Sequence, residues 1–242
     1  MEDMERYGDY DEIDEEPRKR GGIGIFLKVL VAVVCIAVIG VMVFRIVIFN
    51  SYPAEVSRLI FSDTLAEYYG ATGGDIGAMT QSTRLSYDDP KEGNFFFGEL
   101  IVVPGAEHLQ VTVRYNVSLM ESIKTKYGVT LDPDADPFEL FDFKLARTPL
   151  GYVSPEGESE PPIEYVGALT ARASAESMMY RYARLGFDGV EFGLGEGETP
   201  VGWYRLEISI KGVDMKPYTL PVYQYGLGLE DYELGKDEVP QP

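Results

Sequence analysis

Residues 29–44 run for sixteen positions without a charge, and after the single Arg45 the apolar character resumes over residues 46–49. At about 1.5 Å per residue, such a helix covers roughly 30 Å, the thickness of a bilayer's hydrocarbon core. A cleaved signal peptide has a shorter apolar region of about 7–15 residues and small residues at the cleavage site. Here "FRIVIFNSYP" offers bulky ones, so the pattern predicts an uncleaved signal anchor over residues 21–49. Lys28 and Arg45 stand near the two ends, where long side chains snorkel toward the head groups.

Beyond the span the rhythm changes to strict alternation. In "LQVTVRYNV", Leu109, Val111, Val113, Tyr115 and Val117 alternate with Gln110, Thr112, Arg114 and Asn116, which predicts a strand with one buried and one wet face. The preceding "FFFGELIVV" supplies a partner strand, and Pro104-Gly105 starts the hairpin turn. Phe141, Phe143 and Leu145 alternate with Asp142 and Lys144; Tyr204, Leu206, Ile208 and Ile210 alternate with Arg205, Glu207 and Ser209. These read as half-buried antiparallel strands. "MKPYTLPVYQY" adds a last strand that Pro217 and Pro221 confine to an edge. In "SMMYRYARLGFDGVEF", the aromatic residues Tyr180, Tyr182, Phe187 and Phe192 favour extended chain over helix.

Helices are short. Ser118 and Glu121 form the pattern of a capping box before the apolar Leu119, Met120 and Ile123, and Gly128 supplies a stop. A second, juxtamembrane helix is expected over residues 56–69, ending at Gly70. "YVSPEGESEPPIEY" reads as a loop, and "GLEDYELGKDEVPQP" as an acidic tail hanging off the fold. The predicted fold is one transmembrane helix followed by a mainly-β domain, an antiparallel β-sandwich with one or two short helices.

Orientation follows from Lys and Arg near the span. Arg18, Lys19, Arg20 and Lys28 stand on the N-terminal side, whereas the first basic residue beyond Arg45 is Arg58. The chain is therefore expected to divide into a disordered acidic cytoplasmic tail (1–20), the transmembrane anchor (21–49), an extracytoplasmic β-sandwich domain with its juxtamembrane helix (50–225) and a flexible acidic C-terminal tail (226–242). Residues 50–242 carry 31 acidic and 15 basic side chains, a net charge of −16. That balance argues against nucleic acid as a partner. The one cysteine, Cys35, lies in the span, so the exported part has neither disulfides nor zinc-thiolate sites, which fits an envelope where disulfides are little used.

No motif names a reaction. The one histidine, His108, reads as a solvated residue of the turn "PGAEHLQ", and no second histidine completes a zinc site. Nucleophile-elbow and phosphate-loop motifs are absent, and Glu196 and Glu198 in "FGLGEGE" would repel phosphate. In "LDPDADPFEL", Asp132, Asp134 and Asp136 alternate as in oxygen-rich calcium loops, with Glu139 close by. An EF-hand loop, however, wants Gly at its sixth position and Glu at its twelfth, where this chain has Pro137 and Phe143. A proline-stiffened polar loop is the favoured reading, with calcium as the alternative and no other cofactor expected.

"LQVTVRYNVS", a strand ending in an Asn-containing turn behind one membrane span, resembles the immunoglobulin-like extracytoplasmic modules of bacterial single-pass membrane proteins. The resemblance covers about ten residues and the overall layout, and those modules are about 100 residues long, shorter than this exported part. It implies an Ig-like sandwich that binds, spaces or scaffolds. The expected function is that of a membrane-anchored, non-catalytic binding or scaffolding protein of the cell envelope. Its expected contacts are the lipid bilayer, through residues 21–49, and a protein partner. The alternative is a cell-envelope enzyme such as a carbohydrate hydrolase, whose two carboxylates are defined by separation in space and not in sequence.

Overall fold

The computed structural model describes residues 22–50, 52–81, 95–149, 163–192, 202–223 and 229–235. The chain divides into two compact units, Met1–Ser51 and Tyr52–Pro242. In the first, α1 (Gly22–Asn50) contains Gly24–Val47, 24 residues long and apolar enough to cross a membrane, none of them buried within the protein. The acidic tail over residues 1–20 lies outside the described residues.

The second unit is mainly β, with two antiparallel sheets. Strands β1 (Met79–Gln81), β2 (Phe95–Val103), β3 (His108–Asn116), β4 (Phe141–Pro149), β5 (Glu164–Tyr165), β6 (Ala168–Glu176), β7 (Tyr180–Asp188), β8 (Gly202–Ile210), β9 (Tyr218–Tyr223) and β10 (Leu229–Asp231) follow in chain order. A six-stranded sheet has the order β10-β1-β2-β3-β7-β6 and a four-stranded sheet the order β5-β4-β8-β9. The apolar faces meet in one core: Leu109, Val111, Val113 and Tyr115 of β3 and Leu185 and Phe187 of β7 share it with Phe141, Phe143 and Leu145 of β4 and Leu206 and Ile208 of β8. Each such side chain contributes about 1.5–3 kcal/mol on burial.

The expected hairpin joins β2 and β3 through a 3-10 turn, Pro104–Ala106, closed by Glu107 at φ 49 donating its N–H to the Pro104 carbonyl. A bulge interrupts β2. Phe97 lies opposite Val113 and Leu100 opposite Val111, so Gly98 and Glu99 together face Thr112. The extra residue switches the core-facing set from Phe95 and Phe97 to Leu100 and Val102. "SMMYRYARLGFDGVEF" does contain a strand, β7, and β9, which holds Pro221, is an edge strand, the place in a sheet where proline is tolerated.

Several expectations are corrected. The polar face of β3 is not wet: Gln110 is 0% and Arg114 2% exposed, because residues 52–78 lie across it. The juxtamembrane helix is two helices, α2 (Ala54–Ser57) and α3 (Asp63–Thr72), with α3 ending at Gly73 in the left-handed region (φ 70) and not at Gly70. The chain between them leaves the helical path to pair with Gln110 through the Ile60 backbone. Val56 packs with Tyr180 and Tyr182, and Leu59 and Leu65 with Ile101 and Val103. The central strands β3 and β7 are thus covered on both faces.

Helix α4 (Leu119–Tyr127) ends at Gly128 as expected, but Ser118 makes no side-chain cap; its N–H instead donates to Asn116 Oδ1 at 2.9 Å. The acidic tail does not simply hang off the fold. Leu229–Asp231 pairs with β1, and Tyr232 and Leu234 pack on the Leu59 and Leu65 cluster. Residues 152–162 of the Pro- and Glu-rich loop and residues 193–198 of "FGLGEGE" lie outside the described residues.

Candidate functional site

The alternation that buries Leu109, Val111 and Val113 on one face of β3 necessarily sends His108, Gln110 and Thr112 to the other. There they meet Arg184 and Asp188 of β7 and the covering segment. Gln110 uses its full bonding capacity: Oε1 accepts from the Ile60 N–H (3.0 Å) and from Arg184 Nε (3.1 Å), while Nε2 donates to the Ile60 carbonyl and to His108 Nε2 (2.8 Å). Thr112 Oγ1 donates to the Val56 carbonyl (2.8 Å) and accepts from Arg184 Nη1 (2.6 Å). Arg184, fully buried, also approaches the Glu99 carboxylate at 3.7 Å. Gly186, opposite Gln110, leaves room for the imidazole, since a Cβ there would stand 3.3 Å from His108 Cε1 and 2.8 Å from the Ala171 Cβ.

His108 is fully buried in β3 and is not a solvated turn residue. Its Nδ1 pairs with Asp188 Oδ1, which also accepts from Ser62 Oγ (3.0 Å). Serine, histidine and aspartate are the residue types of a hydrolase relay, but the hydroxyl donates to the carboxylate, and the ring nitrogen that would activate it is engaged by Gln110. Ser62 caps α3 as well, accepting from the Leu65 N–H (3.1 Å). The trio clasps the covering segment onto the sheet.

The bonding pattern assigns the tautomer: Nδ1 carries the proton to Asp188 and Nε2 accepts from the Gln110 amide. Burial, the largest influence, pulls the His108 pKa below the usual imidazole value; Asp188 opposes this, and Arg184 adds to it. At Asp188 burial works against ionisation, but hydrogen bonds from His108, Thr170 and Ser62 outweigh it and hold the carboxyl below the usual range. A lowered histidine pKa means that the unfolded chain takes up the proton first. The histidine-linked stability is therefore present in full above about pH 6.5 and declines as pH falls below that value, by at most about 1.4 kcal/mol per pH unit for one proton. The Asp188 contribution goes separately, below about pH 3.8. Urea melts of the β domain between about pH 8 and 5 should show the histidine-linked decline, and His108→Gln should flatten it, since the chain has no other histidine. A slope that persists in the variant would remove His108 as its source.

Beside this cluster lies a cleft of about 320 Å³ lined by Tyr52, Val56, Ser57, Thr80, Gln81, Gly98, Glu99 and Thr112. Its size is at the lower end of small-molecule sites, roughly 300–1,000 Å³. The acidic loop is put to other uses. Asp132 Oδ1 accepts from the Asp134 N–H, Asp134 pairs with Arg181, and Asp136 caps α5 (Pro137–Leu140) through the Phe138 N–H while accepting from Ser174 Oγ. Among the described residues, no three His, Cys, Asp or Glu side chains come together as a metal site.

The remaining feature is the outer face of the four-stranded sheet. Leu145, Tyr204 and Leu206 point to the core, so Ala146, Thr148, Trp203, Arg205 and Glu207 point away. Tyr165 and Arg205 flank Ala146, and Trp203 lies opposite Thr148. Trp203 is 50% exposed, Tyr165 61% and Ile163 41%. Among the described residues no helix or strand covers them. Tyr165 is fixed by its hydroxyl donating to Glu207 Oε2 (2.8 Å), and Glu207 is fixed in turn by Arg205 Nη2 (2.9 Å). Lys144 Nζ stands 5.3 Å from the Tyr165 ring centre. The parity of "GWYRLEISI" already sends Trp203 outward; the nearness of Tyr165, from a distant strand, is the part that the sequence withholds.

Compared with protein-family models, with curated proteins and with solved structures, the chain has no match.

Proposed function

We propose that the protein is a single-pass, membrane-anchored binding or scaffolding component of the cell envelope, with its N-terminus in the cytoplasm and its β domain outside. The domain would engage a protein partner through the outer face of the four-stranded sheet. The observation that carries this reading is the exposed set Trp203, Tyr165 and Ile163 on a face that no other described element covers. Aromatic side chains exposed on a rigid sheet present large contact areas at low entropic cost, and aromatic residues are enriched where proteins bind one another. The Glu207 and Arg205 pair beneath Tyr165 holds the ring before any partner arrives, which lowers the ordering cost of binding. The likeness to immunoglobulin-like modules is kept to the two-sheet layout, because six and four strands exceed the seven or nine of those modules.

The test is cross-linking in intact cells followed by capture of the full chain, beside a Trp203→Ala/Tyr165→Ser variant. The expected result is that the variant remains in the membrane at normal abundance, melts normally and recovers the partner at least ten-fold less well. Equal recovery would remove this face as the binding element. Cleavage of envelope glycans by the purified β domain, abolished by one carboxylate substitution, would replace the binding reading with the enzyme reading.

A further inference from the structure

The two sheets present four edges, and three of them are guarded in ways that discourage further pairing. Strand β10 is three residues long and carries Glu230 and Asp231, β5 is two residues long, and β9 contains Pro221. Strand β6 differs. It is nine residues long, contains no proline and is built of small residues, "ALTARASAE". Its one irregularity, between Leu169 and Ala171, lies at its start and leaves residues 171–176 in regular register with β7. Both of its faces are held: Ala173 and Ala175 pack with the Val56 cluster, Arg172 stands 5.3 Å over the Phe138 ring, and Ser174 Oγ donates to Asp136 at 2.7 Å. Among the described residues, no backbone hydrogen bond reaches β6 from the side away from β7.

We propose that this edge receives β6 of a second copy of the chain, antiparallel, joining two six-stranded sheets into one. The charges of the strand match it to a second copy of itself and favour one register, in which each charge meets its opposite. Centring the pair on Ser174 places Arg172 of each copy opposite Glu176 of the other and Ala173 opposite Ala175. Centring it on Arg172 or on Glu176 sets like charges face to face, which is destabilising. Glu176 already meets Arg181 at 3.3 Å but is 71% exposed, so its carboxylate has room for a second cation. The same register carries Met178, 84% exposed, over Thr170 of the other copy and next to its Leu169, which covers two exposed apolar side chains at each end. Two copies thus complete twofold-symmetric pairing with no unmatched charge.

The test uses the full chain in its membrane with Cys35→Ser, so that one introduced cysteine reports the contact. At the twofold axis the Cα atoms of the two copies of residue 174 would lie about 4.5–5.5 Å apart, within the range a disulfide bridges. Ser174→Cys is expected to oxidise to a covalent dimer at least ten-fold more than Thr125→Cys, a control on the exposed side of α4. Adding Arg172→Glu should reduce that yield several-fold, and the charge exchange R172E/E176R should restore it. Thermal melting of each variant separates loss of pairing from loss of fold, because a folded variant that fails to cross-link speaks to the edge alone. The proposal is overturned if residue 174 cross-links no better than residue 125. It is also overturned if R172E has no effect in a folded protein, if the exchange fails to restore pairing, or if residue 174 is captured by a different protein while the purified chain remains monomeric.

Discussion

Replacing Arg184 with methionine is expected to destabilise the β domain by about 1–3 kcal/mol, the cost of leaving buried hydrogen-bonding groups short of a partner. The guanidinium is fully buried and holds three groups at once: Gln110 Oε1, Thr112 Oγ1 and the Glu99 carboxylate. Methionine fills similar space, so the loss comes from the polar groups left short of a donor rather than from a cavity. Gln110 Oε1 would keep only its bond from the Ile60 N–H, and Glu99 would lose its nearby cation. For a domain of this size, each kcal/mol moves the melting temperature by about 2–4 °C, so the expected drop is roughly 2–12 °C. Arg184→Lys keeps the charge but not the planar fork that reaches Gln110 and Thr112 together, and should fall between the parent and the methionine variant. A melting temperature for Arg184→Met within about 2 °C of the parent, less than one kcal/mol, would show that the network contributes little to stability.

Gly98→Val is expected to lift the covering segment off the sheet at its first contact. A Cβ at Gly98 would lie 2.9 Å from the Cε1 and Cζ atoms of Tyr52 and 3.1 Å from the Thr112 Cβ, and the φ angle there is not left-handed, so the conflict is one of packing rather than of backbone. The Tyr52 ring cannot stay against the bulge, where it stands edge-on to Tyr182 at 5.4 Å and under the Arg114 guanidinium at 5.2 Å. Overpacking of this kind costs about 1–3 kcal/mol. The signature is non-additivity. Tyr52→Ala removes the ring that the introduced valine would strike, so the double variant should be less destabilised than the sum of the two singles, and limited proteolysis of Gly98→Val should cut within residues 52–62 first. Strict additivity would mean that Gly98 acts through something other than Tyr52.

Both predictions concern the polar face of β3, where sequence and structure part company. The long apolar helix, the β2–β3 hairpin, β4, β7, β8 and the edge position of β9 were legible because each rests on a short-range signal: unbroken apolarity, alternation, or a proline that cannot donate. The break between α2 and α3 was not legible, since it follows from Ile60 meeting Gln110 fifty residues away. Strand β10 was hidden for a like reason, its partner β1 lying far back in the chain.

Alternation by itself determined which side chains of β3 share a face and that Leu109, Val111 and Val113 face a core. It could not determine what lies on the other face, because Gln, Thr, Arg and His satisfy a pattern equally well in water or under a covering segment. Only the tertiary structure decided between the two. A buried polar side chain is tolerated when its bonding capacity is met, as Gln110 meets its own with Ile60, Arg184 and His108. Those partners come from three separate parts of the chain, and no local period records their meeting.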